Sequence, residues 1–384
     1  MHNRLALSTL SLSLASLLAL AACGGTVSAG GGDDGDGGTG AAPDPDTSSS
    51  SSGTPGTGGS GATGGTGDTG GTGGTGGTGE TGGSGPGTGG SGGVPVDDFG
   101  PPKCDDNLTL DDADPYNAAK AIEICKTADG PNSWGLIEAK WTLPDGSAIP
   151  AGYEANYALG HGIYDSFGPN VPPRKGDRIL GLSNGAARRP NDPGYTGPSG
   201  GFAKGYTHAA PDGFPKPSPA CPGVISGQPY DGVALEVTLR APNSALGFAF
   251  DINYYTAEFP TWTCTTFNDA FVALLSPTPV GQSDGNISFD SLGNIISVNN
   301  VFLDVCNQPT CALGAAQLAG TGYENNGATG WLTTTAPING GDVFTLRFTT
   351  YDNGDAILDS ATLVDHFRWT TQPNSVVGTF RPME

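Results

Sequence analysis

The chain has 384 residues, 65 of them glycine, and carries 38 Asp and Glu against 16 Lys and Arg, a formal charge of −22. A surface of that sign repels phosphate backbones and anionic lipid headgroups, which argues against nucleic acid as a partner. It suits cations such as calcium, or plain solubility outside the cell.

Residues 1–22 read as an export signal, with Arg4 as the positive start and Leu5–Leu20 as a Leu/Ala/Ser apolar run. The run is shorter than the roughly 20 residues of a spanning helix. Leu20-Ala21-Ala22-Cys23 matches the lipobox of bacterial lipoproteins, in which the cysteine is acylated and becomes the new N-terminus. The expectation is a peripheral anchor at Cys23, with acyl chains as the only membrane contact. Gly24 rather than aspartate after Cys23 favours the outer membrane for lipoproteins of that kind, facing the periplasm or the exterior.

Residues 23–93 are expected to be a disordered tether. Positions 24–93 hold 32 glycines, and Thr63, Thr66, Thr69, Thr72, Thr75, Thr78 and Thr81 recur every third residue. Such a tract lacks the apolar area to offset chain entropy. Its mean span is on the order of 45 Å, from roughly 5–6 Å times the square root of its length.

From residue 94 to 384 the chain reads as one β-sandwich or jelly-roll-like domain, an all-β fold with one short N-terminal helix. It carries 31 acids against 15 bases, a net −16, so most of the charge belongs to this part. Asp114-Pro115 is a helix N-cap with proline in the first turn, and Ala118, Ala121, Ile122 and Cys125 follow at helical spacing. Thereafter the signals are strands. Ile137, Ala139, Trp141 and Leu143 alternate with polar residues, and Val233, Leu235, Val237 and Leu239 give the cleanest period-two run. Residues 160–230 read as loop-rich, with Ile179–Leu182 as their one strand.

Leu246, Phe248, Phe250 and Ile252 put one apolar face on the next strand, and Phe271–Leu275 is apolar without a break, as for a strand covered on both faces. A hairpin is expected from Asn286–Asp290 and Asn294–Asn299, then strands over Val343–Tyr351 and Ala361–Thr370, with a tight solvated turn at Asp352-Asn353-Gly354-Asp355.

After Cys23 the cysteines are Cys104, Cys125, Cys221, Cys264, Cys306 and Cys311. An even number in an exported chain argues for disulfides, and loop closure favours the neighbouring pairs Cys104–Cys125, Cys221–Cys264 and Cys306–Cys311. Zinc is disfavoured by the lack of a C-x-x-C pair and by the few histidines, His161, His208 and His366.

The stretch around 246–370 resembles the choice-of-anchor family of bacterial surface modules, most closely its L group. The matching pieces are Ala257-Glu258-Phe259-Pro260, Phe267-Asn268-Asp269-Ala270-Phe271-Val272, Gly285-Asn286-Ile287-Ser288-Phe289-Asp290, Ile296-Ser297-Val298-Asn299-Asn300, and Leu358-Asp359-Ser360 ahead of Asp365-His366-Phe367-Arg368-Trp369. The resemblance implies an exported β-rich domain held by one of several kinds of anchor. It implies no catalytic residue and no particular ligand.

Glu258, Asn268 and Asp269 on one loop, with Asp365 in the last long strand, form a candidate calcium set. Leu363, Asp365, Phe367 and Trp369 share a face by period two, so Asp365 needs a cation, N–H donors or an arginine, Arg347 or Arg240. Tyr254, Tyr255 and Trp262 flank that loop and are candidate sugar-stacking rings, with core packing as the plainer reading. Glu258 and Asp269 also form a candidate carboxylate pair for glycoside hydrolysis. His161 and His208 lack a nucleophile partner, and Ser183 lacks the G-x-S-x-G elbow. The sequence therefore favours non-catalytic binding of a polysaccharide or another surface protein over a glycan hydrolase or a purely structural envelope component.

Overall fold

The computed structural model describes residues 103–373 and 376–382. The export signal, Cys23, the tether and the start of the domain at residue 94 lie outside these residues. Helix α1 (Pro115–Lys120) begins as its sequence dictates, with Asp114 accepting the Tyr116 N–H at 2.9 Å and proline opening the first turn. After it come β1 (Gly135–Thr142), α2 (Glu154–Ala158), β2 (His161–Tyr164), β3 (Ile179–Ser183), β4 (Pro229–Arg240), β5 (Gly247–Thr256) and β6 (Ala270–Ser276). Then follow β7 (Ile296–Ser297), β8 (Val305–Cys306), β9 (Gly327–Ala328), β10 (Leu332–Pro337), β11 (Val343–Asn353), β12 (Ser360–Thr370) and β13 (Gly378–Phe380).

The strands make two antiparallel sheets. One runs β1-β4-β11-β6-β7, the other β13-β10-β5-β12-β3-β2, with β9 and then β8 added beside β5. Between them lies the main core. Val233, Leu235, Val237 and Leu239 of β4, Phe344, Leu346 and Phe348 of β11 and Phe271 of β6 meet Phe248, Phe250, Ile252 and Tyr254 of β5. Rings from opposite sheets interlock. Phe248 stacks on Phe344 at 5.2 Å and 7°, and Phe250 meets Phe348 edge-on at 4.9 Å and 87°.

Both faces of β5 and β12 are covered. Their outer sides, through Tyr255, Ala361 and Leu363, pack with Tyr164, Phe167, Ile179 and Tyr323 in a second apolar cluster. That is why every position of β5 is buried, Asp251 and Asn253 included, where alternation predicts one wet face. Strand β6 is covered on both sides as its unbroken apolar run predicts, with Phe271 and Ala273 in the main core and Ala270 and Val272 in a third cluster.

Several expectations shift. A second short helix, α2, and strands β2 and β10 appear where the sequence shows no clear period. In β1 a bulge between Leu136 and Glu138 turns Leu136 inward and leaves Ile137 41% exposed. The 286–299 hairpin keeps its turn, with Asp290 N–H bonding Asn294 C=O at 2.9 Å, but only β7 is regular strand. Side chains replace the ladder there: Asn286 Oδ1 accepts the Ala273 and Ser288 N–H groups, and the Asp290 carboxylate accepts those of Leu292, Asn294 and Val301. The turn at Asp352 is not a solvated one. Asp352 and Asp359 are buried, and Asp355 alone of the three faces water.

Among the described residues no helix is long and apolar enough to cross a membrane.

Candidate functional site

The loop joining β5 to β6, residues 257–269, is built by its own side chains. Glu258 Oε2 accepts the Asp269 N–H at 2.9 Å, which closes the loop at its base. Tyr254, directly across on β5, donates its hydroxyl to Asp269 C=O at 2.9 Å and bonds Ser360 on β12. Asn268 is clasped on its backbone by Asn353 and on its side chain by Asn299, which also accepts the Cys264 N–H at 2.7 Å. Cys264 is bonded to Cys221, and the other pairs are Cys104–Cys125 and Cys306–Cys311. The disulfide ties a second loop to the first, since the Gly227 N–H also bonds Thr266 C=O at 3.2 Å.

On this frame Trp262 stands 37% exposed, braced edge-on by Phe267 at 5.4 Å and 85°. Tyr254 and Tyr255 do not join it. Both are 0% exposed, Tyr254 in the main core and Tyr255 in the outer cluster, so neither ring offers a face to a sugar.

Beneath the loop lies a buried charge network that the sequence does not announce. Lys204, 0% exposed, donates its ammonium to the carbonyls of Ser183 and Asp231, each at 2.8 Å, and to that of Asn184. Burial lowers its pKa to about 8, against the pull of Asp231, Asp359, Asp352 and Asp269. Asp231 accepts the N–H groups of Lys204, Gly205 and Tyr206. Asp359 accepts that of Phe202. Asn184 donates to Asp269 Oδ2 at 2.8 Å.

The carboxyls here are raised. Burial, with the charges of Asp352 and Asp355, pushes Glu258 to about 8, although the Asp269 N–H opposes it. Burial and the charge of Glu258 raise Asp269 well above the usual range. Burial and Asp355 bring Asp352 to about 8, and burial brings Asp359 to about 7 against the Lys204 charge.

Glu258, Asn268 and Asp269 thus come together, but Asp365 does not join them. It sits five positions along β12 from Ser360, roughly 17 Å at ~3.4 Å per residue, opposite Asp251. Nor does Asp365 share a face with Phe367 and Trp369. Residue His366, at φ 53, opens a bulge between Asp365 and Arg368 that shifts the alternation, so Leu363 packs outward while Phe367 and Trp369 enter the main core. Asp365 takes the Arg174 N–H at 2.6 Å, whereas Arg347 is engaged by Glu236 on the other sheet. Among the described residues no group of three or more His, Cys, Asp or Glu is arranged to hold a metal ion.

Catalytic geometry is weak. Glu258 and Asp269 are 3% and 1% exposed and spend their oxygens on internal hydrogen bonds, so they do not face a glycan. His161 stacks on Trp141 at 4.0 Å, and burial with the charges of Arg188 and Lys204 lowers it to about 3. His208 accepts the Gly232 N–H, and Ser183 bonds Ser360 C=O. At this end the molecule presents to solvent, among other groups, a braced indole on a stapled loop.

Residues 227–366 match the family model of the Choice-of-anchor L domain. No curated protein matches the chain. Among solved structures it is similar to TmCBM61 in complex with beta-1,4-galactotriose, at 7% identity and a TM-score of 0.22, over 64% of this chain and 90% of that one. It is also similar to the K2 cleaved adhesin domain of Lys-gingipain, at 9% identity and a TM-score of 0.23, over 61% and 89%. Likenesses that faint carry no argument about ligand or mechanism.

Proposed function

We propose that this chain is a cell-surface lipoprotein, anchored through Cys23, whose β-sandwich binds a polysaccharide without catalysis. The observation that carries this reading is Trp262, a half-open indole held by Phe267 and by the Cys221–Cys264 disulfide. A rigid ring stacks on a sugar face at little entropic cost, because the loop is ordered before the ligand arrives. The buried acids beneath it act as framework, and the hydrolase reading loses its support because they are closed to substrate. A surface-protein partner is the second reading, favoured by Ile225, 54% exposed on the segment tied to the loop through Cys221.

The test is retention of the full chain, carrying Cys23→Ser for solubility, on insoluble polysaccharides and on cell envelopes, in calcium and in EGTA. Trp262→Ala is expected to cut retention about tenfold, ~1.4 kcal/mol, with an unchanged melting temperature. Retention that survives this change would sink the proposal. Loss of retention in EGTA alone would make calcium part of the site.

A further inference from the structure

At the opposite end of the sandwich a second set of carboxyls is used differently. Segment 104–125, closed by the Cys104–Cys125 disulfide, docks on the β12 bulge through the Phe367 N–H, which bonds Ile122 C=O at 2.9 Å. The next contact is unusual. A single backbone N–H, that of His366, is shared by Glu123 Oε2 at 2.8 Å and Asp365 Oδ1 at 2.5 Å. Two carboxyl groups converge on one donor. Both flanking residues are in left-handed backbone conformations, Glu123 at φ 68 and His366 at φ 53, a strain that non-glycine residues accept only when the surroundings hold them there.

Among the described residues no side-chain cation forms an ion pair with Glu123 or Asp365. Of the basic groups nearby, Arg174 Nε, His366 Nδ1 and Arg368 all reach Asp251 instead, at 3.4, 3.2 and 3.0 Å. Lys103 pairs with Asp106 and Asp177. Asp105, whose Oδ2 takes the Asp177 N–H, adds another negative neighbour. One oxygen of Asp105 and one of Glu123, Oδ1 and Oε1, are buried with no hydrogen-bond partner. Two ionised carboxylates facing one another away from water repel strongly, and the arrangement is stable when one of them keeps its hydrogen.

We propose that Glu123 and Asp365 form a proton-shared latch: one hydrogen held between the two carboxyls pins the Cys125 end of segment 104–125 to the β12 bulge, and its loss to solvent loosens that hold. Burial raises both groups above the ordinary carboxylate range, aided at Glu123 by the charge of Asp365 and at Asp365 by that of Asp251, which fits this reading. The sign follows. A carboxyl whose folded pKa is raised contributes its full stabilisation below its unfolded value and loses it as pH rises through the folded one. The latch is therefore closed in acid and opens toward alkali. In Asp251 the opposite holds: burial would raise it, but the His366 hydrogen bond and the Arg368 charge hold its carboxyl below the ordinary range.

The experiment follows Glu123 directly. In the full chain with 13C-labelled glutamate carboxyls, the signal absent from Glu123→Gln identifies Glu123, and its shift is followed with pH. In parallel, the rate at which a phosphine reduces Cys104–Cys125 is measured at about pH 6 and about pH 9, with Cys306–Cys311 as internal reference. The expected results are a Glu123 signal that still reports a bound proton at neutral pH, and reduction about tenfold faster at the higher pH. In Glu123→Gln, whose amide donates permanently to Asp365, that acceleration should vanish. Asp365→Asn gives the same test from the other side should the first variant fold poorly. A Glu123 signal that titrates like a free carboxyl overturns the proposal, as does the same acceleration in both variants. So does calcium abolishing the acceleration in the wild type, since a cation and not a proton would then hold the pair.

Discussion

Replacing Lys204 by methionine is the sharpest probe of the network under the loop. The change keeps the length and most of the volume of the stem, so cavity formation is a minor part of its effect. It removes an ammonium that is 0% exposed, leaving the carbonyls of Ser183, Asn184 and Asp231 without their donor. It also withdraws a positive charge that interacts with the buried Asp231, Asp359, Asp352 and Asp269. Each orphaned acceptor costs about 1–3 kcal/mol, and removing one partner of a buried charge network costs about 3–5 kcal/mol in all. Against a typical stability of about 5–15 kcal/mol, that is about a fifth of the total or more. Urea unfolding at neutral pH, followed by tryptophan fluorescence, should show it as a lower midpoint at unchanged slope. The loss should shrink in mild acid, because without Lys204 the raised carboxyls simply keep their protons there. A loss under about 1 kcal/mol at neutral pH, or one independent of pH, would refute the account of Lys204 as the charge that holds this end together.

The pH profile of the wild type follows from the same groups. Glu258 and Asp352 at about 8 and Asp359 at about 7 are all raised, so their stabilisation is complete below the ordinary carboxylate pKa and is lost as pH climbs through 7 to 8. Asp251 runs the other way: burial would raise it, but the His366 hydrogen bond and the Arg368 charge hold it at about 2, so its share is lost as pH falls toward that value. Thermal scans should place the maximum melting temperature in mild acid, with pH 8 clearly below pH 5, and a flat profile would contradict the burial of these acids. Tyr254→Phe deletes the hydroxyl that bonds Asp269 C=O and Ser360 while leaving the ring in the core. It should cost about 1–2 kcal/mol in chemical unfolding, and no change would mean that Tyr254 does not anchor the loop.

Local chemistry and simple periods were readable in the chain itself. Asp114 and Pro115 start a helix because their backbone preferences need no distant partner. The alternation in Val233–Leu239 and the unbroken run Phe271–Leu275 follow from how side chains leave a strand, so the all-β class and the long strands were legible, and so were the motifs matching the Choice-of-anchor L family. What the residues around Trp262, Asp352 and Asp365 do was not legible. Whether an acid is solvated or buried depends on which distant segments close over it. Lys204, Asn184 and Phe202 come from a stretch with no regular period, yet they reach Asp231, Asp269 and Asp359. The bulge at His366 likewise reassigns Phe367 and Trp369 to the core, and only the docking of segment 104–125 shows how that backbone is held. The sequence alone specified which strands form and what they resemble; the tertiary structure decided which charges lose their water, because desolvation belongs to the assembled neighbourhood and not to any residue.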